Sequence, residues 1–130
     1  IDFQREIDRL RQKAAAGAEF VTTQPVFDPD ALKRFVEAIA DLHLPVIAGI
    51  WPLASLRNAL FMKNEVPGVV VPPRLLECMA RAQTREDGRK IGIEIAHEMI
   101  AELAPHVAGF AVSAPFGNVS TALAALGRRE

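Results

Sequence analysis

An α/β fold on a parallel sheet is what this sequence predicts, and three observations predict it. Segments with apolar residues at helical spacing alternate with short β-branched or apolar runs, in the order helix, strand, helix, strand, helices, strand, helix. Pro45-Val46-Ile47-Ala48-Gly49-Ile50 carries no polar alternation, as expected of a strand covered on both faces. The strands are separated by stretches long enough for helical crossovers, which parallel neighbours require.

Phe3, Ile7, Leu10 and Ala14 fall on one helical face with Arg, Gln and Lys between them, and Gly17 closes the segment. Phe20-Val21-Thr22-Thr23-Gln24-Pro25 follows as a buried strand stopped by a proline that cannot donate to a sheet ladder. Asp28-Pro29-Asp30 signals a helix start, with Leu32, Phe35, Val36 and Ile39 as its apolar face up to about Leu42. The strand at 45–50 ends at Trp51-Pro52, and a helix from Ala54 carries Leu56, Ala59, Leu60 and Met62 until Pro67-Gly68 breaks it. Val69-Val70-Val71 could form a strand, but an extended connection is preferred, because Pro73 can open a helix with Leu75, Leu76 and Met79 inward. Thr84 with Asp87 three residues on is a capping signal for the longest helix, lined by Ile91, Ile95, Met99 and Leu103. After Pro105, residues 109–115 read as a third strand, and 119–126 as a last helix closed by Gly127.

The 130 residues, 50% hydrophobic and 24% charged, have the composition of one ordinary soluble domain, residues 1–130. No GxGxxG or GxxxxGK[ST] phosphate loop accompanies the alternating pattern, so a nucleotide-binding doubly wound sheet is disfavoured. The remaining common solution is a (β/α)8 barrel, whose usual size of about 250 residues is roughly twice this chain. The expectation is therefore a partial barrel, about half, with its other strands supplied from elsewhere. The missing initiator Met also suggests an excised or processed piece.

Fifteen Lys+Arg against 16 Asp+Glu, without long runs of either sign, leave no basic footprint for nucleic acid or a membrane surface. Cys78 is the only cysteine, which excludes an intrachain disulfide and a multi-cysteine zinc site. It reads as a small packing residue. With no apolar run of roughly 18 residues and a charged start, a cytoplasmic location is expected.

Barrel active sites lie at the C-terminal strand ends, which directs attention to Gln24, to Ile50-Trp51-Pro52 and to Ser113-Ala114-Pro115. Gln24 can read a heterocycle edge with its donors and acceptor, or simply tie down its loop. His43, His97 and His106 lack ligand spacing, Ser113 lacks a nucleophile elbow, and Asp28 reads as a cap. Lys13 has a structural role available at a helix end, where a cation is favoured.

Residues Lys13 to Asp28, KAAAGAEFVTTQPVFD, resemble the K-x-x-A-G-A-x-x-x-x-T-Q-x-x-F-D signature of the methylenetetrahydrofolate reductase family. Ala48 to Leu53 resembles that family's G-I-x-P strand end. Segments 64–69 and 112–117 are more similar to a bacterial branch in which the reductase follows a homocysteine S-methyltransferase domain. The resemblance covers nearly the whole chain and implies the C-terminal half of a (β/α)8 barrel. It implies FAD as cofactor, NADH or NADPH as hydride donor, and 5,10-methylenetetrahydrofolate as the folate substrate reduced to 5-methyltetrahydrofolate. Gln24 would correspond to the folate-binding glutamine and Lys13 to a lysine at the flavin site. Glu6 and Asn58 stand where the family often has an Asp near the flavin and a Gln near the folate. The family's last strand often reads H-F-Y-T-L-N-R, whereas Ala111-Val112-Ser113-Ala114-Pro115-Phe116-Gly117 has no arginine. The catalytic glutamate and many flavin contacts would belong to the missing N-terminal half, leaving the isolated chain inactive. The rival reading is a non-catalytic half-barrel that binds a ligand or assembles with a partner.

Overall fold

The computed structural model describes residues 2–127 of the expected 1–130 unit. Helix α1 (Phe3–Ala15) starts at Asp2, whose carboxylate accepts from the Arg5 amide, and ends in a turn where Gly17 takes φ +113°. Strand β1 (Val21–Pro25) leads to helix α2 (Pro29–Ala38), capped by Asp28 through the Ala31 amide at 3.3 Å. The helix stops at Ile39, short of the expected Leu42. A tighter turn over Ala40–Leu42 and His43 at φ 53° carry the chain into strand β2 (Val46–Ile50).

Three helices make up the crossover to the last strand: α3 (Leu56–Glu65), α4 (Pro73–Ala80) and α5 (Arg85–Leu103). Ser55 and Thr84 cap α3 and α5 through the Asn58 and Asp87 amides, and the 69–71 segment is an extended connection. Strand β3 (Gly109–Val112) is shorter than the expected 109–115, because Ala114-Pro115 turns away from the ladder and Pro115 has no amide hydrogen to give it. Helix α6 (Val119–Ala125) is capped by Asn118.

The sheet has the order β1-β2-β3, all parallel. β2 lies between its neighbours, and Val46, Ala48, Gly49 and Ile50 are buried as its unbroken apolar pattern predicts. β1 departs from the buried-strand expectation: Thr22 and Gln24 are exposed, and Phe20 is 60% exposed just before the strand. The cause is position, since no strand pairs with the outer edge of β1 among the described residues. The arrangement is an α/β layer with a small parallel sheet and six helices, compatible with part of a (β/α)8 barrel.

Two apolar clusters meet on α5. Ile91 and Ile95 pack with Leu53, Met62, Leu75 and Met79, whereas Ala96, Met99 and Leu103 pack with Leu32, Ala48 and Ile50 beneath the sheet. The buried face of α5 starts earlier than its apolar spacing indicates, at Gly88 and Gly92. A Cβ at Gly92 would run into the Leu53 carbonyl and one at Gly88 into the Ala54 carbonyl, so these glycines bring the helix against the backbone after β2. None of the described helices is long and apolar enough to cross a membrane.

On the opposite flank, Arg11 grips Asp41 with two nitrogens at 2.7 and 3.0 Å and donates to the Ala38 carbonyl at 3.2 Å, tying α1 to the end of α2. The guanidinium holds the Asp41 carboxyl below the usual carboxylate range. A carboxyl with a depressed folded-state pKa stabilises above its unfolded value of about 4, and that stabilisation is lost as the pH falls through the folded value. Asp41→Asn is therefore expected to lower stability slightly at neutral pH and to remove part of the acid-induced loss, which urea titrations between pH 2 and 7 would read. Parallel wild-type and variant profiles would refute it.

Candidate functional site

The C-terminal ends of β1 and β2 are shaped by one irregularity. Thr22 pairs with Ile47 and Pro25 with Gly49, so β1 holds an extra residue between them. Thr23 fills the gap in the ladder: its hydroxyl oxygen accepts from the Gly49 amide at 2.9 Å and donates to the Gln24 carbonyl at 2.8 Å. A bulge of this kind re-aims the side chains beside it. Gly49 permits the approach, since a Cβ there would lie 2.8 Å from the Thr23 carbonyl oxygen and 3.0 Å from that of Gln24.

Gln24 is exposed at this bulge and lines a cavity of about 730 Å³ that runs along the open edge of β1. Glu6 and Lys13, two turns apart on α1, line the same cavity, with Phe27 and Asp28 beyond the strand. No hydrogen bond joins Glu6, Lys13 and Gln24 to one another among the described residues. Glu6 faces Arg9 at 3.6 Å, a loose exposed pair. Lys13 has no carboxylate within salt-bridge distance among the described residues, and neither does the Gln24 amide hold a side-chain partner there.

Asn58 lies elsewhere. Its side-chain oxygen accepts from Trp51 Nε1 and from the Ala54 amide, both at 3.1 Å, which fixes the loop between β2 and α3. Two N–H donors at that oxygen assign the amide orientation and turn its NH2 group away from the loop. Asn58 is 7% exposed and borders a second cavity of about 460 Å³ with Trp51, Ser55, Arg57, Phe61, Met62 and Phe116. The four residues singled out in the sequence thus divide between two cavities, three in the first and one in the second.

The second cavity was not visible in the sequence. Phe61 and Phe116 are far apart along the chain, and Phe116 reaches the cavity from a turn with φ 55° and ψ 28°, left-handed and 81% exposed. A bulky residue in that region costs on the order of 1 kcal/mol or more, and such strain gathers at functional sites. The only local signal was Gly117 after Pro115, a turn composition that says nothing of where the ring points. His97, an alternative ligand candidate in the sequence, sets its Nε2 2.7 Å from the Ala124 carbonyl and links α5 to α6.

A family profile described as methylenetetrahydrofolate reductase matches residues 1–113. The chain belongs to the methylenetetrahydrofolate reductase family. Among curated relatives, it is 26% identical over 105 residues to methylenetetrahydrofolate reductase 1 of Schizosaccharomyces pombe, covering 78% of this chain and 17% of that protein. Methylenetetrahydrofolate reductase 2 of the same yeast is 29% identical over 112 residues, 81% of this chain and 17% of the relative. Methylenetetrahydrofolate reductase (NADH) 1 of Arabidopsis thaliana is 27% identical over 111 residues, covering 80% and 18%. The chain therefore spans less than a fifth of the length of these reductases. The matched region of the reductase family takes in both cavities' strand ends and stops at Ser113, before the turn that carries Phe116.

The dinucleotide cofactor implied for this family can be tested against the first cavity. An ammonium without a carboxylate partner, a carboxylate on the same helix face and a free amide border one open space, and these donors suit a phosphate, a sugar hydroxyl and a heterocycle edge respectively. The residues present fit such a group.

Proposed function

We propose that this chain is the C-terminal portion of a reductase barrel that converts 5,10-methylenetetrahydrofolate to 5-methyltetrahydrofolate with NADH or NADPH as hydride donor. The observation that carries the reading is Gln24, its amide uncommitted, on the bulged end of β1 in a cavity shared with Lys13. FAD, when bound, supplies the hydride chemistry. In this reading Lys13 holds an anionic group of the cofactor as a point charge, and Glu6 accepts from cofactor hydroxyls. Gln24 orients the pterin, and the Asn58 amide nitrogen donates to the folate from the second cavity. The chain contributes orientation, and the proton-handling glutamate belongs to the barrel half that would pair with the open edge of β1. Attachment of a homocysteine methyltransferase domain and a cytoplasmic location are part of the same proposal.

Lys13→Ala tests it in the protein with its native flanking sequence. Flavin titration of the apoprotein is expected to show weaker retention by about tenfold, a change expected of a lost charged contact to phosphate. The melting temperature should hardly move, because an exposed helix-end lysine contributes only about 0.3–1 kcal/mol through the dipole. Unchanged flavin affinity, or a purified protein without flavin affinity, would overturn the reading in favour of a non-catalytic half-barrel.

A further inference from the structure

The second cavity has a composition that none of the roles above uses. Trp51, Phe61, Met62 and Phe116 give it flat, apolar walls, and Arg57 is the only charged residue on its lining. Arg57 is exposed on the first turn of α3 and has no carboxylate within salt-bridge distance among the described residues. The Asn58 amide nitrogen sits beside it, its oxygen already held by Trp51 and Ala54. Aromatic walls select a flat ring, which prefers offset or edge contacts with other rings. One guanidinium with one neighbouring amide donor matches a single carboxylate; a phosphate monoester, with more charge and more acceptor oxygens, would call for further cations. About 460 Å³ is within the range of small-molecule sites.

We propose that this cavity binds an aromatic carboxylic acid group, the aroyl-amino acid end of the substrate, and that Arg57 is its carboxylate-binding, specificity-determining residue. The last strand and its turn, residues 109–117, contain no arginine, so the cation comes from across the cavity on α3. Phe116 closes the site as an aromatic wall, which accounts for a strained phenylalanine held at the surface. This assignment rests on the proposed folate reduction for the identity of the ligand, but its test needs no turnover.

The experiment is calorimetric binding of p-aminobenzoyl-glutamate, and of its neutral diamide, to the protein with its native flanking sequence. Wild type is expected to prefer the acid by about tenfold, a preference typical of one charge-assisted contact. Arg57→Ala should abolish that preference and Arg57→Lys should keep part of it, while Phe116→Ala weakens both ligands alike. Because Arg57 is exposed, circular dichroism is expected to match wild type. Should Arg57→Ala unfold the protein, the lysine variant and the acid–diamide ratio in wild type still decide the matter. Equal affinity for acid and diamide, no binding of either, or an undiminished preference in Arg57→Ala would overturn the proposal. A protein that shows the preference but reduces no folate would keep this site and remove the reductase reading. One that reduces folate without the preference would do the reverse.

Discussion

Gln24→Ala is expected to lower folate turnover by roughly 5- to 160-fold, the equivalent of about 1–3 kcal/mol for buried ligand groups left without partners. The effect should be confined to the folate half of the reaction. Gln24 borders the first cavity from the bulge of β1 and has no side-chain hydrogen bond to the α1 residues Glu6 and Lys13, so its removal leaves the proposed cofactor contacts in place. Gln24→Glu keeps the shape but, when ionised, loses both donors, and should fall in the same direction. Stopped-flow absorbance of the two half-reactions separates the steps. Equal impairment of both, or of neither, would remove Gln24 from folate recognition. Gly49→Ala, which pushes on the Thr23 and Gln24 carbonyls, is the second-site control: it should reproduce part of the Gln24 defect without touching the amide.

The other large effect concerns stability. Gly92→Ala is expected to destabilise the protein by about 3 kcal/mol, the upper part of the range for overpacking, even though alanine is the better helix former by about 1 kcal/mol. The new methyl would collide with the carbonyl of Leu53, a residue 1% exposed whose backbone cannot shift without disturbing the end of β2. Gly109→Ala is the matched control, because its Cβ would meet only Ile47 Cδ1 at 3.5 Å, an ordinary contact. Urea denaturation of the two variants should differ strongly. A Gly92→Ala protein as stable as wild type would mean that α5 can move away from the loop at little cost.

The helix starts at Asp28, Ser or Thr caps and Asn118 were legible wherever capping chemistry and apolar spacing coincide, as at Thr84 with Ile95, Met99 and Leu103. β2 was legible because a central strand buries both faces. The exposure of β1 was not, since nothing in Val21–Pro25 records that one edge would lack a neighbour. Gly88 and Gly92 left a signal that apolar periodicity passes over: two glycines four apart inside the longest helix are unfavourable unless something packs closely there. Of the site, Gln24 and Lys13 could be placed from a local signature, and they do share a cavity. Asn58 could be placed on α3, but its hold on Trp51 and Ala54 depends on how the loop after β2 folds back. Arg57, Phe61 and Phe116 could not be joined, because their meeting is made by a left-handed turn far along the chain.

The crossover between β2 and β3 has a kinetic consequence. It runs over residues 51–108, nearly three times the length of the link between β1 and β2 at 26–45, so bringing β3 to its neighbour costs about 1 kcal/mol more in closure entropy. Three helices must take shape in that interval before the ladder of β3 gains anything, whereas β1 and β2 can pair across α2 alone. Folding then proceeds from the N-terminal strand pair toward the C-terminus, with the glycine face of α5 as the last joint to lock. In reverse, β3 and α6 form the unit that opens at lowest free energy, and their amides are the first of the sheet region to exchange with deuterium.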